Sequence, residues 1–345
     1  MFARALALVI APAVLVACTA ATEPAPTTSP VPTTAAAPTT APTLNPAATA
    51  PPSPTADPTV TVIIGGDVIE QRYGTDAPFP PLVETLGGVL PLMQTGDVVV
   101  FNAEGGLCDP VALSLGTRGT YNFYLTPESL VALNDRLPGD LVLVQANNHT
   151  MNFGEACRDH GEGRMAAAGI HVVGAGDDLA AAREPALIEV NGSRIAVLAY
   201  AATQIIPYHW HATPDQPGIL PMDTDTLAAD LAALPPDTFA VVVMHAAFEY
   251  TFRPEEGEVR FAEAAVQNGA DLVVGHGPHV VQNPVTMDGV PVFYSLGNAL
   301  MDMCFNDAVK TSQWLSVTIR AGQLVGVSVH PYFAEACMQP LPVGG

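Results

Sequence analysis

Side chains that bind metal ions recur in this sequence, each shortly after an apolar run. They are Asp67, Asn102, Glu104, Asn147, Asn148, His149, His245, His276 and His279. Short apolar runs of this kind are typical of strands buried on both faces. In α/β proteins the ends of such strands carry the loops that bind ligands, so we expect these side chains to share one cleft. The mixture of carboxylate, amide and imidazole donors favours Mn, Fe or Zn over calcium, which prefers oxygen ligands alone.

Each of these residues also has a structural interpretation when it is taken alone. Asp67 after two glycines is typical of a turn or a helix cap, and a single histidine after a strand is often a hydrogen-bonded structural residue. Asn147 and Asn148 can simply end a strand, and Glu104 beside two glycines can be exposed to solvent. Independent structural residues would rarely recur at the same end of successive strands, so the set as a whole favours a metal or catalytic site.

The apolar runs are spaced as alternating strands and helices. Predicted strands cover residues 59–64, 97–101, 140–145, 171–173, 239–244 and 271–274, and predicted helices cover residues 81–94, 127–137 and 155–168. This alternation is typical of a mainly parallel sheet with helices on both faces. Asn191-Gly192 and Asp288-Gly289 lie between apolar runs as hairpin turns, and a last hairpin turns at Ala321-Gly322. We therefore expect an α/β fold with mixed sheets.

The amino terminus has the layout of a bacterial export signal. Residues 1–18 hold Arg4, an apolar run too short to span a bilayer, and small residues before Cys18. A cysteine at this position predicts a lipobox and an extracytoplasmic, lipid-anchored membrane protein; the alternative is a secreted protein in which Cys18 is not lipidated. Residues 19–58 are almost wholly Ala, Pro and Thr, which predicts a disordered tether. We expect one folded domain over residues 59–345.

The chain is strongly acidic. Its 12 Lys and Arg residues against 34 Asp and Glu residues give a formal net charge of −22, which repels nucleic acid and anionic lipid headgroups. We therefore expect no nucleic-acid partner. Solubility is the simpler explanation of this acidity, and an affinity for cations is the alternative.

The cysteine pattern favours structural disulfides. Besides Cys18 the chain has Cys108, Cys157, Cys304 and Cys337, and none of them forms a CxxC pair. Disulfides persist outside the cytoplasm, so two bridges are a better prediction than a zinc finger or a redox motif. Four cysteines allow three pairings. Proximity to the polar motifs favours Cys108 with Cys157 and Cys304 with Cys337.

Five segments of the chain resemble one known family. They are Gly66-Asp67-Val68, Asn102-Ala103-Glu104-Gly105, Ala146-Asn147-Asn148-His149, Gly275-His276-Gly277-Pro278-His279 and Phe293-Tyr294-Ser295-Leu296-Gly297-Asn298. Their order and spacing over residues 59–328 are similar to those of the poly-γ-glutamate capsule biosynthesis (CapA) family, which belongs with the calcineurin-like metallophosphatases. The resemblance implies a layered α/β/β/α sandwich with a dinuclear metal centre between two sheets.

The resemblance also implies roles for individual residues. The implied metal ligands are Asp67, Glu104, Asn148, His245, His276 and His279, the implied acid is His149, and the implied supporting residues are Asn102, Asn147, Asn152 and Glu249. Two segments depart from the family. Asn152 stands where an aspartate would orient and charge His149. His245-Ala246-Ala247 replaces a His-Trp-Gly segment, so we expect a different substrate shape, although Glu249 and Tyr250 follow as in the family.

Two classes of function fit these observations. The superfamily implies metal-dependent hydrolysis of a phosphate ester, and the capsule association implies an anionic extracellular polymer such as a γ-glutamyl chain. The alternative is a non-catalytic, lipid-anchored assembly protein that holds or exports the polymer, with polymer-synthase membrane proteins as candidate partners. Asn152 favours the assembly protein, whereas the ligand set and His149 favour the enzyme. A solute-binding lipoprotein would share the anchor and the tether but would not explain the histidines.

Overall fold

The computed structural model describes residues 59–75, 78–118, 120–246 and 248–343. The predicted signal peptide with Cys18 and the predicted tether over residues 19–58 lie outside these described residues. None of the helices within the described ranges has the length and apolar character that crossing a bilayer requires.

Strands outnumber helices in the described chain. In chain order the strands are β1 (Thr59–Val68), β2 (Gln71–Arg72), β3 (Val98–Ala103), β4 (Phe123–Tyr124), β5 (Asp140–Val144), β6 (His171–Val173), β7 (Ala175–Gly176), β8 (Ala186–Val190), β9 (Ser193–Ala201), β10 (Gly218–Ile219), β11 (Thr238–His245), β12 (Leu272–His276), β13 (Val285–Met287), β14 (Val290–Phe293), β15 (Asn298–Leu300), β16 (Thr311–Arg320), β17 (Gln323–Phe333) and β18 (Leu341–Pro342). The helices are α1 (Leu82–Thr85), α2 (Leu90–Met93), α3 (Pro127–Asn134), α4 (Glu155–Ala167), α5 (Leu179–Ala182), α6 (Thr224–Ala233), α7 (Glu256–Gln267) and α8 (Asp307–Lys310), and Tyr208–Trp210 forms one 3₁₀ turn.

Two large mixed sheets form the centre of the fold. The first runs in the order β18-β17-β16-β1-β3-β5-β6, with β15 also paired to β1. In it β1, β3, β5 and β6 are parallel, and β16 runs antiparallel to β1. The second sheet runs in the order β13-β14-β12-β11-β9-β8, with a parallel centre and antiparallel outer strands. Mixed sheets are what the sequence predicts.

The two sheets pack face to face, and helices cover their outer faces. Successive side chains of β1 lie on opposite faces of the first sheet. Val62 belongs to the core between the sheets, and Ile63 belongs to the core under the helices. Val197 and Val243 face the first sheet from the second, while Phe261 of α7 packs on the other side of the second sheet. This is the two-faced burial that period-two alternation produces. The α/β/β/α sandwich implied by the resemblance is confirmed.

The helix predicted over residues 81–94 is wrong as a single element. The structure breaks it into α1 and α2, four residues each. Two consecutive glycines, Gly87 and Gly88, lie at the break, and glycine costs about 1 kcal/mol relative to alanine inside a helix. A Cβ at Gly88 would also overlap the backbone oxygen of Pro340, so the approach of the carboxyl-terminal segment leaves no room for a side chain at this position.

The predicted hairpin turns are confirmed. Asn191-Gly192, Asp288-Gly289 and Ala321-Gly322 each connect two paired antiparallel strands, and both residues of each pair have positive φ angles. Positive φ at both central positions is the type I′ geometry that matches the twist of the flanking strands.

Two disulfides fasten the loops around the first sheet. Cys108, which follows β3, is bonded to Cys157 of α4, with 5.3 Å between their α-carbons. Cys304, between β15 and α8, is bonded to Cys337, with 5.8 Å between α-carbons. This is the pairing that the sequence favours. Both bridges cross-link loops near the strand ends, which limits how far those loops can move.

Candidate metal centre

Strand register places the polar residues opposite one another at the carboxyl ends of both sheets. In the first sheet Asp67 of β1 pairs with Asn102 of β3 and with Asn298 of β15. In the second sheet His245 of β11 pairs with His276 of β12. All five residues are buried. The sandwich therefore supplies carboxylates and amides from one sheet and imidazoles from the other.

Carboxylate and imidazole atoms from the two sheets approach within a few ångströms. Asp67 Oδ1 lies 3.4 Å from His276 Nδ1, and Asp67 Oδ2 lies 3.3 Å from His279 Nδ1. Glu104 Oε1 lies 3.7 Å from His279 Nε2 and 3.8 Å from His245 Nε2. One potential ligand atom from each of Asp67, Glu104 and His279 falls within 4.8 Å of the other two. The structure thus gathers five of the six residues expected as ligands.

The sixth expected ligand, Asn148, lies at the edge of this group. Two other amides, Asn102 and Asn147, orient the ligands Asp67 and His245. Asn148 Oδ1 is 2.9 Å from His245 Nε2. Asn102 donates from Nδ2 to Asp67 Oδ1 at 2.7 Å and lies 3.2 Å from His245 Nδ1. Asn147 in turn donates to Asn102 Oδ1 at 3.0 Å. These amides fix the rotamers of an acid and an imidazole, the usual task of residues behind a metal ligand.

Several polar atoms at the centre are buried without a hydrogen-bond partner among the described residues. They are Asp67 Oδ2, both carboxylate oxygens of Glu104 and both ring nitrogens of His276. Each unpaired buried polar atom costs about 1–3 kcal/mol, and such atoms are few in native proteins. A cation bound among them could be held by the carboxylate oxygens and by one nitrogen of His276, so the set of ligand atoms fits a divalent metal ion.

The loop after β12 is built to aim His279 inward. Gly277 has a φ of 113°, and a Cβ there would overlap the backbone oxygen of Ala246 in the loop after β11. His279 itself has a φ of 57°, a conformation that costs free energy for a residue with a side chain. Its Nδ1 atom also lies 2.9 Å from Asn298 Oδ1. Two loops therefore pack on each other to hold one imidazole toward both carboxylates.

Burial and mutual charge displace the pKa values of these groups in different directions. Burial raises the pKa of Asp67, but the neighbouring imidazoles of His276 and His279 outweigh burial and hold that pKa well below its usual range. Burial and the charge of Asp67 raise the pKa of Glu104. Burial lowers the pKa of His279, but Glu104 and Asp67 outweigh it and raise that pKa to about 10. A proton on His279 thus balances the buried carboxylates, and binding of a cation would displace it.

His149 lies beside this group and is oriented by Asn152. His149 Nε2 is 4.0 Å from Glu104 Oε1, and His149 Nδ1 is 2.9 Å from Asn152 Oδ1. The same atom accepts a hydrogen bond from the backbone N–H of Phe123 at 3.0 Å, so it is the amide oxygen of Asn152 and an acceptor. His149 Nδ1 must therefore carry the proton of the hydrogen bond between the two side chains. Burial lowers the pKa of His149 to about 4, although the hydrogen bond with Asn152 opposes this. Asn152 therefore sets the tautomer of His149 without supplying charge.

A cleft of about 260 Å³ opens beside His149. Apart from His149 and Glu249, it is lined by residues that the sequence analysis does not assign to the site. Arg72 and Asp302 form one wall, and Tyr121 and Phe305, both largely exposed, form part of the rim. Glu249 borders both this cleft and a second one that reaches His245 and His279. Of the altered segment after β11, Ala247 lies outside the described residues.

Comparison with known proteins identifies the family of this chain. The sequence model of the family described as bacterial capsule synthesis protein PGA_cap matches residues 61–303. The chain belongs to this capsule synthesis family. The matched range includes every strand-end residue described above, from Asp67 to Asn298.

Individual relatives are similar over most of the domain. A probable polyglutamine synthesis accessory protein of Mycobacterium tuberculosis is 28% identical over 286 residues, covering 70% of this chain and 74% of that protein. The capsule biosynthesis protein CapA of Bacillus anthracis is 32% identical over 243 residues, covering 68% of this chain and 56% of that protein. A hypothetical protein from Thermus thermophilus, of known structure, shares the fold at 15% identity and a TM-score of 0.50, covering 79% of this chain and 99% of that one.

Asn152 permits a direct test of how this member of the capsule synthesis family charges His149. In the metal-free protein, Asn152→Asp should raise the pKa of His149 from about 4, because a carboxylate next to an imidazole favours the protonated form by roughly 1–3 units. Protonation of His149 would then persist to higher pH. Titration of the His149 ring signals by NMR measures this shift. Asn268→Asp, at an exposed position after α7, adds the same charge away from the site and should leave the titration unchanged.

Proposed function

We propose that this protein is an extracytoplasmic, metal-dependent hydrolase that acts in the synthesis or processing of a capsular polymer such as poly-γ-glutamate. The observation that supports it best is the set of buried, unpartnered donor atoms on Asp67, Glu104 and His276. A protein gains nothing in stability from burying such atoms unless a ligand satisfies them. The names of the relatives supply the polymer, and the superfamily resemblance supplies the reaction class.

The donor set suggests two divalent ions of Mn, Fe or Zn. The residues that would hold them are Asp67, Glu104, Asn148, His245, His276 and His279. Such ions supply Lewis acidity and neutralise charge on the group that is attacked. Asn102, Asn147 and Asn298 hold the ligands in place through the hydrogen bonds described above.

His149 is the residue placed to move a proton. Its Nδ1–H is committed to Asn152, which leaves Nε2, 4.0 Å from Glu104 Oε1, available toward the metal centre. To act as an acid, His149 must bind a second proton at Nε2. Its low pKa makes this proton scarce near neutrality, so we expect hydrolysis to be slower here than in relatives that carry an aspartate at this position.

A second function, the non-catalytic assembly protein, is favoured by Asn152 alone. A histidine that stays neutral can still position a polymer through hydrogen bonds without donating a proton. Such a protein would use the metal ions to hold anionic segments beside polymer-synthase membrane proteins.

Metal analysis of the purified full chain, paired with hydrolysis assays, decides between the two functions. The substrates are a phosphodiester, a phosphomonoester and poly-γ-glutamate. Bound metal with turnover of any substrate supports the hydrolase, and bound metal without turnover supports the assembly protein. If the protein binds no divalent metal even when the metal is supplied in excess, both functions are contradicted.

The proposed location depends on Cys18, and it has its own test. We propose that Cys18 carries the lipid and that residues 19–58 hold the domain away from the membrane. The Cys18→Ala chain, expressed beside the wild type, should leave the membrane fraction for a soluble fraction or the medium. Unchanged membrane retention would contradict the anchor.

A further inference from the structure

Arg72 occupies an unusual position in a chain with a net charge of −22. It is the only Lys or Arg among the described residues that line the two clefts at the metal centre. Register in the short β2–β4 pair sets it opposite Phe123. A cation among acidic groups is the place where an anionic ligand meets least repulsion.

The guanidinium of Arg72 is held in a fixed orientation. Nε donates to Asp302 Oδ2 at 2.5 Å, and one terminal nitrogen, Nη2, donates to Asp302 Oδ1 at 2.6 Å. The group also lies over the ring of Phe123, with 4.5 Å between its central carbon and the ring centroid. Phe123 in turn contacts His149, with 4.4 Å between ring centroids. A bidentate carboxylate and a ring face together fix the plane of an arginine.

One donor group of Arg72 remains for a ligand. Asp302 uses Nε and Nη2, and the other terminal nitrogen, Nη1, has no hydrogen-bond acceptor among the described residues. The side chain of Arg72 is 23% exposed, in the same cleft as His149. Planar, preorganised guanidinium donors match the oxygens of carboxylates and phosphates.

We propose that Arg72 is the specificity-determining residue that binds an oxyanion of the polymer next to the segment held at the metal centre. The inference rests on the proposed function, because it names what that site recognises. For a γ-glutamyl chain the oxyanion is the free α-carboxylate of a neighbouring unit; for a phosphodiester polymer it is a neighbouring phosphate. The aromatic rim residues Tyr121 and Phe305 line the same cleft as Arg72 and would pack against the apolar carbons between successive charges.

Binding measurements on the metal-loaded full chain test this assignment without requiring turnover. The probes are a short oligo-γ-glutamate, the same oligomer with its α-carboxylates converted to amides, and a short poly(glycerol phosphate). Arg72→Gln should weaken binding of an anionic probe by roughly 10- to 100-fold, the effect of one hydrogen bond to a charged group. Binding of the amidated oligomer should not change. Arg72→Lys, which keeps the charge, should recover part of the loss.

Asp302→Asn separates recognition from a purely structural ion pair. It removes the negative charge beside Arg72 but keeps one side-chain oxygen that can accept from the guanidinium, and the Phe123 ring still packs on it. Anionic probes should therefore bind at least as tightly as to the wild type, and more tightly at low salt. Arg260→Gln, on the exposed face of α7, changes net charge by the same amount as Arg72→Gln and should have no effect. The assignment is overturned if Arg72→Gln binds every anionic probe like the wild type, or if Arg72→Gln and Asp302→Asn weaken binding alike. Failure of the proposed function would appear separately, as absent metal in the wild type.

Discussion

His276→Ala should lose both bound metal and the stability that metal confers. The imidazole is buried, neither ring nitrogen has a hydrogen-bond partner among the described residues, and Nδ1 lies 3.4 Å from Asp67 Oδ1. Removing it deletes a ligand, so the metal content of the purified protein should fall by at least one ion per chain. In the wild type, a free metal concentration about 100 times Kd should add about 2.7 kcal/mol to the free energy of unfolding. Elemental analysis and thermal unfolding with and without metal measure both effects.

The metal-free stability of the same variant is the internal control. His276→Ala should unfold near the wild-type temperature in chelator, because the lost packing is offset by removal of two unpaired buried nitrogens. His171→Ala provides the external control, since His171 lies outside the centre beside Asp140 and its loss should leave metal content unchanged. A His276→Ala protein that keeps the full metal content and the full metal-dependent stabilisation would show that His276 is not a ligand.

His149→Ala, unlike His276→Ala, should lose hydrolysis without losing metal. It should keep the metal content and the metal-dependent stabilisation, because the resemblance gives His149 the role of the acid and not of a ligand, and its Nδ1 is bonded to Asn152. Its rate on any substrate that the wild type hydrolyses should fall by roughly 10²- to 10⁴-fold, as expected for a lost proton-transfer residue. Initial rates at saturating and at limiting substrate separate this loss from weaker binding.

The pH dependence strengthens that comparison. Wild-type hydrolysis that requires protonated His149 should rise as the pH falls toward about 4, until protonation of the metal ligands releases the ions. His149→Ala should lack this rise. An unchanged rate and an unchanged pH profile in His149→Ala would remove His149 from the mechanism and leave the metal ligands as the only catalytic groups.

The convergence of the candidate ligands could be predicted from the sequence because strands impose a simple rule. Asp67 and His276 each end a run of buried β-branched residues, and parallel strands deliver their carboxyl ends to one edge. Arg72 and Asp302 could not be found in this way. Arg72 lies in a two-residue strand, and Asp302 follows a three-residue strand, elements too short to leave a periodic pattern. Tertiary contacts alone bring these two residues together.

The prediction of one helix over residues 81–94 was wrong for a related reason. Its apolar spacing suits a helix, and Gly87-Gly88 is a weak local signal against one. The contact that requires glycine at position 88, with the backbone oxygen of Pro340, joins positions far apart in the chain. Pairing of cysteines was easier, because only three combinations exist and each bridge joins loops that flank the same strand ends.

The position of β1 in the first sheet determines the order in which the metal centre can be completed. β1 carries Asp67 and lies between β3 and β16, pairing with β16 from Thr59 against Arg320 to Ile64 against Leu315. One edge of the strand that holds a central carboxylate therefore stays open until the carboxyl-terminal part of the chain has been synthesised. Contacts of such long sequence separation are slow to form. In an exported chain, translocation would be nearly finished before the ligands converge, so the metal acquired would be the one available outside the cytoplasm.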